Sequence, residues 1–488
     1  MNQKKPDIGL SASLYKPLTA SDIKTIAEES FRILEQRGMT VYSTTCREAL
    51  KAAGADVDEN TCRVKMPRAL VEDAVASNPS SITLYSRDGR NDAVLEGTRV
   101  HYGTGGTAIY VLDPDTGERR QSNVDDVALN AAMVEKLENI HVFTINVFPH
   151  EIENKDAIDT NRFFHAFANT TKHVQGGVYS FEGCRRVVKM AEMIAGDAEK
   201  LREQPFVSFI TLIISPFKID EHYGEMTAFL ARENLPVVIP TEPICGTTSP
   251  VTLAGNVLMH TAETLGGIAL VQSIRKGAPG ICGSVGSITD LRTMDHVGGA
   301  IERAMINAAV AQLAQHFELP LYSTGGTSDA KTVDVQAAYE SAMSSLLVAM
   351  SGANYIHDIA GLMESDLTVS YEKLVIDNEI LAMCQRVLKG IEVNGDTLAA
   401  DLITEKGPED HFAADIHTVN HMAGEFYEPV LANRAKRASM KPDDDAYSRA
   451  RRIVAEIRNQ SRGRALDPAI TQALLETFPE IQTGKGAV

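Results

Sequence analysis

The chain has 488 residues, 44% of them hydrophobic and 23% charged, enough for a sizeable packed core in one large barrel or in two or three ordinary domains. Its net charge of -18 argues against a nucleic-acid binder, which needs a basic footprint to displace counterions, and disfavours an anionic membrane surface. Six scattered cysteines without a CxxC, a start MNQKKPDIGL with no apolar signal stretch and no apolar run of membrane-spanning length argue against a disulfide framework, a thiolate metal cluster and a membrane protein, and fit a reducing cytoplasm.

Residues 1–95 read as a helical and mixed segment. Apolar residues at helical spacing over 20–38 end at Gly38, and Pro67 opens a second helix that runs to Ala76; up to about residue 80 the texture is helical. From 82 to 113 short strand-like pieces follow, SITLYS and RVHYGT among them, and Asp113-Pro114-Asp115-Thr116-Gly117 reads as a hairpin turn. Between 96 and 370 apolar strands alternate with longer helices: strands are predicted at 141–148, 172–179, 206–214, 236–243, 279–284, 319–325 and 353–359, helices at 156–169, 182–195, 219–233, 250–276, 296–317 and 333–351. That alternation implies a parallel sheet buried on both faces. With an eighth strand from 98–112 or 360–369 it gives a (β/α)8 TIM barrel; a doubly wound open sheet is the alternative, weakened because no G-x-G-x-x-G follows a strand. Residues 371–488 form a C-terminal helical segment, in which Lys441-Pro442-Asp443-Asp444-Asp445 reads as an exposed linker before a last helix at Ala446–Asn459, basic on one side.

In a (β/α)8 enzyme chemistry sits at the carboxyl ends of the strands. That rule selects Asn146, Gln175, Thr211, Glu242, Ser284, Thr324 and His357-Asp358, with the glycine-rich loops Gly103-Thr104-Gly105-Gly106-Thr107 and Gly325-Gly326 beside them. Glu242 follows a very apolar strand and either points into the mouth or caps a turn. Asp329 and Asp334 either complement a helix N-terminus or meet a ligand. His357 is either a catalytic or ligand-binding group or a satisfied core histidine. His411, His417 and His421 lack the HExxH pattern or thiolate neighbours of a metal site, and no G-x-S-x-G, phosphate loop or Cys-His nucleophile pattern occurs.

Longer strings carry more. Glu242-Pro243-Ile244-Cys245-Gly246-Thr247-Thr248-Ser249-Pro250-Val251-Thr252-Leu253-Ala254-Gly255 is followed by Ala262-Glu263, Gln272, Gly277-Ala278-Pro279, Asp290-Leu291-Arg292-Thr293, Gly299 with Glu302, Ser328-Asp329-Ala330-Lys331, Asp334, Gln336-Ala337 and Glu340. This ordered set resembles the corrinoid-dependent trimethylamine methyltransferase family over nearly the whole chain. Archaeal trimethylamine enzymes of that family carry pyrrolysine near the barrel centre. Here 321–331 holds only standard residues, with Gly325-Gly326 near the corresponding place. The chain is thus similar to the pyrrolysine-lacking branch, which demethylates glycine betaine, proline betaine, carnitine or γ-butyrobetaine.

The resemblance implies methyl transfer to the cobalt(I) of a separate corrinoid protein. The D-x-H-x-x-G pattern of corrinoid-binding modules is missing, so the cofactor is expected on that partner. A quaternary ammonium needs no Lewis acid to leave, so no tightly bound metal is expected. With no Trp in the chain, Tyr102, Tyr322 and Tyr355 are the aromatic candidates for holding the ammonium. His357, Lys331, Arg292 or backbone N–H groups are the candidates for its carboxylate, and Glu242 and Asp329 join His357 as candidate catalytic groups. Two other functions compete: a barrel lyase or hydrolase using Glu242 or His357 as general base, and a binding protein for a cationic osmolyte. A homo-oligomer is a further expectation.

Overall fold

The computed structural model describes residues 8–460 and 465–483. Eight parallel strands run in chain order: β1 (Arg99–Tyr102), β2 (Val142–Thr144), β3 (His173–Gly177), β4 (Val207–Ile210), β5 (Val237–Thr241), β6 (Gly280–Ser284), β7 (Leu321–Thr324) and β8 (Tyr355–His357). Each is followed by a helix: α1 (Val124–Lys136), α2 (Lys155–Asn169), α3 (Phe181–Ala195), α4 (Glu221–Glu233), α5 (Leu253–Ile274), α6 (Ile301–His316), α7 (Val335–Ser351) and α8 (Tyr371–Lys389). Sequential neighbours pair from β2 through β8, β8 pairs with β1, and a short strand Leu10–Ser11 adds antiparallel to β1. The sheet is curled: Gly103, just past β1, makes an isolated parallel bridge to Val142, and the His141 amide donates to the Tyr102 carbonyl at 2.8 Å. The fold is α/β with one curled sheet. The eighth strand comes from the 98–112 region, and α1, absent from the sequence reading, opens with a capping box between Asn123 and Asp126.

Strand alternation sorts the side chains. Val142, Val238, Ile281, Tyr322 and Tyr355 turn inward and meet Ile82, Leu84, Ala93 and Leu95. Those last four belong to the hairpin Ser81–Leu84/Ala93–Glu96, whose following residues bond to 171 and 205 just ahead of β3 and β4, so the hairpin plugs the amino-terminal end of the strands. Phe143, Phe209, Val237, Ile239, Leu321 and Ile356 turn outward to the helices.

The N-terminal segment is less purely helical than its texture predicts. Ala20–Gln36, Thr44–Ala52 and Arg68–Ser77 are helices, but Met39–Val41, Asp56–Asp58 and Arg63–Lys65 build a small sheet with Lys218–Ile219. The three helices pack over α5, which explains why that helix is apolar on nearly every side. Past α8, Ala446–Asn459 lies on α8 and α1, and Pro468–Thr477 on α3. Among the described residues no helix is long and apolar enough to cross a membrane.

Candidate active site at the strand ends

Alternation along β5 aims Val238 inward and Thr241 outward, where its hydroxyl donates to the Glu263 carboxylate on α5. Glu263 also accepts from the Ser215 hydroxyl (2.7 Å) and the Phe217 amide (2.6 Å), so one buried carboxylate braces the ends of β4 and β5. Glu242, the next residue, then faces the mouth with its side chain 40% exposed. Protein on its remaining sides disfavours the charged form and raises its carboxyl above the ordinary range, with Arg303 and His296 opposing.

Around Glu242 lies a charged cluster. His296, on the hairpin Ser287–Asp290/Asp295–Val297 after β6, puts Nδ1 4.0 Å from Glu242 Oε1 and 3.2 Å from the Ser287 hydroxyl. Its Nε2 is 3.7 Å from Asp366 Oδ2. Arg303, in the first turn of α6 and only 3% exposed, donates from Nη1 to Asp366 at 2.9 Å and to the Thr327 hydroxyl at 3.0 Å. Its Nη2 lies 3.7 Å from Asp358 Oδ2. Burial disfavours the guanidinium charge, but Asp366, Asp358 and Glu242 outweigh it and raise the group above its ordinary value. Burial likewise opposes ionisation of Asp366, and Arg303 and His296 overcome it to hold that carboxyl well below the usual range. Arg303 Nε and Nη2, Asp358 Oδ1 and Asp366 Oδ1 are buried without hydrogen bonds among the described residues. Three carboxylates thus face one guanidinium and one imidazole, an arrangement that favours a cation.

His357 stands beside this cluster. Thr324 donates its hydroxyl to the Ser284 carbonyl (2.8 Å), so in its 2.7 Å contact with His357 Nε2 the imidazole is the donor. Nδ1 is 2.8 Å from Asp358 Oδ1, at an angle that makes no hydrogen bond. The ring stacks on Tyr322 with centroids 3.7 Å apart. Gly105 closes over both groups: a Cβ there would fall 2.3 Å from Asp358 Oδ1 and 2.7 Å from His357 Nδ1.

The other sequence candidates disperse. Tyr355 faces inward, but its hydroxyl is committed to Thr144 (2.6 Å), which also meets Gln175 (3.0 Å). Gln175 donates to Ser208 (2.9 Å), and Ser208 contacts His173 Nε2 (2.8 Å), giving one polar ladder inside the sheet. Tyr102 turns outward into the helix-facing core, because alternation aims its neighbours 101 and 103 inward. Asp329 fastens two loops, accepting from the Gly298 amide (2.8 Å) and the Ser365 hydroxyl (2.6 Å). Lys331 is exposed, caps the Asp329 carbonyl (2.6 Å) and lines an outer groove of about 370 Å³ with Asp113 and Glu372. Arg292 is 89% exposed and paired with Asp290 at its hairpin tip. Gly325 donates its amide to the His357 carbonyl at 3.3 Å, and Gly326 is a close backbone contact, with φ +74° and the place of a Cβ 2.4 Å from the Ile359 carbonyl oxygen. Asn146 donates to Asn130 (3.2 Å), and Thr211 to the Val238 carbonyl (3.2 Å). Sequence reasoning missed Arg303, Asp366 and His296. Arg303 left one trace, a lone cation facing into a helix of alanines and aliphatic residues. Among the described residues no three His, Cys, Asp or Glu side chains are grouped to hold a metal ion.

The trimethylamine methyltransferase family (MTTB) matches residues 1–482. The chain belongs to that family. Among its relatives, trimethylamine methyltransferase MttB of Desulfitobacterium hafniense (strain DSM 10664 / DCB-2) is 37% identical over 416 residues, 85% of this chain and 83% of that one. The glycine betaine methyltransferase of Desulfitobacterium hafniense (strain Y51) is 31% identical over 476 residues, 95% of this chain and 96% of that one. MttB of Methanosarcina barkeri (strain Fusaro / DSM 804) is 35% identical over 414 residues, 83% and 82% of the two chains. The crystal structure of the Methanosarcina barkeri monomethylamine methyltransferase (MtmB) superposes with a TM-score of 0.52 at 12% identity, covering 91% of this chain and 89% of that one, which shows a shared fold. As a member of the MTTB family the protein is a methyltransferase, and the family works with corrinoid proteins.

Proposed function

We propose that the protein transfers a methyl group from a quaternary amine, glycine betaine first among them, to the cobalt of a corrinoid held by a separate protein. The observation that carries this reading is the charge balance at the strand ends: Glu242, Asp358 and Asp366 outnumber Arg303 and His296 and favour a permanently cationic substrate. Match to the glycine betaine methyltransferase over nearly its full length supports the same choice. We read the eight strands as a closed (β/α)8 barrel, supported by the Gly103–Val142 bridge. Residues 96–370 form its body, 1–95 and 371–488 are the added segments, and the latter supplies α8.

The strand-end loops fit a large partner-borne group, since they expose Val251, Leu291, Met294 and Leu367. Bound on its carrier, the corrinoid supplies the methyl acceptor. This chain's residues bind and aim: Glu242 opposes the ammonium charge, and the stacked His357 and Tyr322 fix the wall beside it. His357 Nε2–H is engaged by Thr324 and Nδ1 lies buried beneath Gly105 on the Asp358 side, so the ring meets a ligand as part of the wall.

The test is an anaerobic assay with cob(I)alamin and a panel of glycine betaine, proline betaine, carnitine, γ-butyrobetaine and trimethylamine. Methylcobalamin and dimethylglycine should form from glycine betaine. Turnover confined to trimethylamine, or none with any quaternary amine, would overturn the reading.

A further inference from the structure

Behind the strand-end cluster, on the helix side, lies a buried ion pair that no part of this reaction touches. Lys373 and Asp377, one turn apart on α8, are 2.7 Å from each other with side chains 1% and 2% exposed. Lys373 Nζ also donates to the Gly326 carbonyl (3.1 Å) and the Ser341 hydroxyl (2.6 Å). Asp377 Oδ2 accepts from the Gly361 amide (2.7 Å). Gly326 follows β7 and Gly361 follows β8, so the pair holds the turns after both strands. Those turns press together, with the place of a Gly326 Cβ lying 2.4 Å from the Ile359 carbonyl oxygen. Two residues before Gly326 and two before Ile359 stand Thr324 and His357, joined at 2.7 Å on the inner side.

We infer that Lys373 and Asp377 are positioning residues for methyl transfer, a clamp outside the sheet that sets His357 and Asp358 against Thr324. The inference rests on the function proposed above. Stability alone does not account for the pair, because two well-packed apolar side chains hold a core as well as a buried ion pair does. What apolar side chains cannot supply is directed bonds to Gly326 O and Gly361 N.

The test uses the full chain as Lys373→Met, Asp377→Leu and the double variant. Each single change leaves a buried charge unpaired and should lower the melting temperature; the double change should restore most of it. In the restored double variant kcat should remain down roughly ten- to a hundredfold, the cost of a misplaced reacting group. A second measurement needs no substrate: the His357 Cε1–H proton resonance, assigned with His357→Gln, should move in the double variant while that of His173 stays. A double variant with parental melting, parental kcat and an unmoved His357 resonance overturns the clamp. If the double variant melts early, Asp377→Asn, which keeps an acceptor for Gly361, should hold kcat and the His357 resonance nearer to the parent than Asp377→Leu does, and equal readouts in the two overturn the clamp. A parent enzyme inactive on every quaternary amine refutes the proposed function instead, and the resonance still decides the clamp.

Discussion

The two ends of the curled sheet hold histidines in opposite surroundings. Toward the amino-terminal end His173 is fully buried, with Nδ1 3.1 Å from the Tyr85 carbonyl and Nε2 2.8 Å from Ser208, and burial pushes its imidazole down to about 3. At the carboxyl end His357 has one nitrogen bonded and the other against Asp358 without a hydrogen bond, next to a cluster in which carboxylates outnumber guanidinium groups. Both are inward residues of parallel strands. The difference is height along the strand: the plugging hairpin satisfies and seals one end, while long loops leave the other polar and partly open. Residue type alone therefore does not mark the site; unsatisfied polarity at the open end does.

The largest effect expected from testing this contrast is at Arg303. Arg303→Met strands Asp358 and Asp366 in a buried site, and unfolding free energy should fall by about 3–5 kcal/mol, read by thermal or chemical denaturation. A variant melting within a degree or two of the parent would mean that the cluster is solvated and the charge argument is lost.

Next come the two histidines taken together. His173→Ala and His357→Ala should each cost about 1–3 kcal/mol through buried partners left unpaired. Only His357→Ala should also weaken betaine binding, roughly ten- to a hundredfold for the lost wall against Tyr322 and the Thr324 hydroxyl oxygen left without its donor. Calorimetry on both folded variants compares them; equal affinity losses erase the distinction between the ends.

Acid should reveal the sealed end. An imidazole held near 3 in the fold stays neutral there and takes up a proton on unfolding. Stability from His173 is thus whole above pH ~6.5 and drains as pH falls toward 3. His173→Asn should flatten the fall of melting temperature across that window, measured against the parent from pH 7 to 4.

The smallest effect on stability belongs to Glu242→Gln, since that carboxyl is partly open: a shift within about 0.5 kcal/mol. Its effect on recognition should be large, with tetramethylammonium and glycine betaine binding more weakly and with less dependence on salt. Unchanged cation affinity would move the ammonium site away from Glu242.

Much of this was legible in advance. Apart from α1, the strand and helix series followed from period and length, and the helix Ala446–Asn459 from its helix-start aspartates and basic face. Gly326 was picked out as a glycine near the site, but its reason, a left-handed turn pressed on Ile359, needs the neighbouring turn to be in place. Tyr102 was expected at the mouth because it ends a strand; one residue of register sends it to the helices instead. Lys331 and Arg292 carried the right charge for a carboxylate, and loop geometry leaves both in solvent.

By itself the sequence determined the strand and helix series from 141 to 359, the parallel α/β class, the family and two residues of the strand-end cluster, Glu242 and Asp358, because each of these is written in local periodicity or in ordered strings. Only the tertiary structure decided that Arg303, His296 and Asp366 join them. Those three arrive from a helix start, a hairpin and a loop that have no common spacing in the chain. Their meeting depends on how far the sheet curls and on where each crossover returns, and the Coulomb energy among them exists only once that curvature brings the groups within about 4 Å.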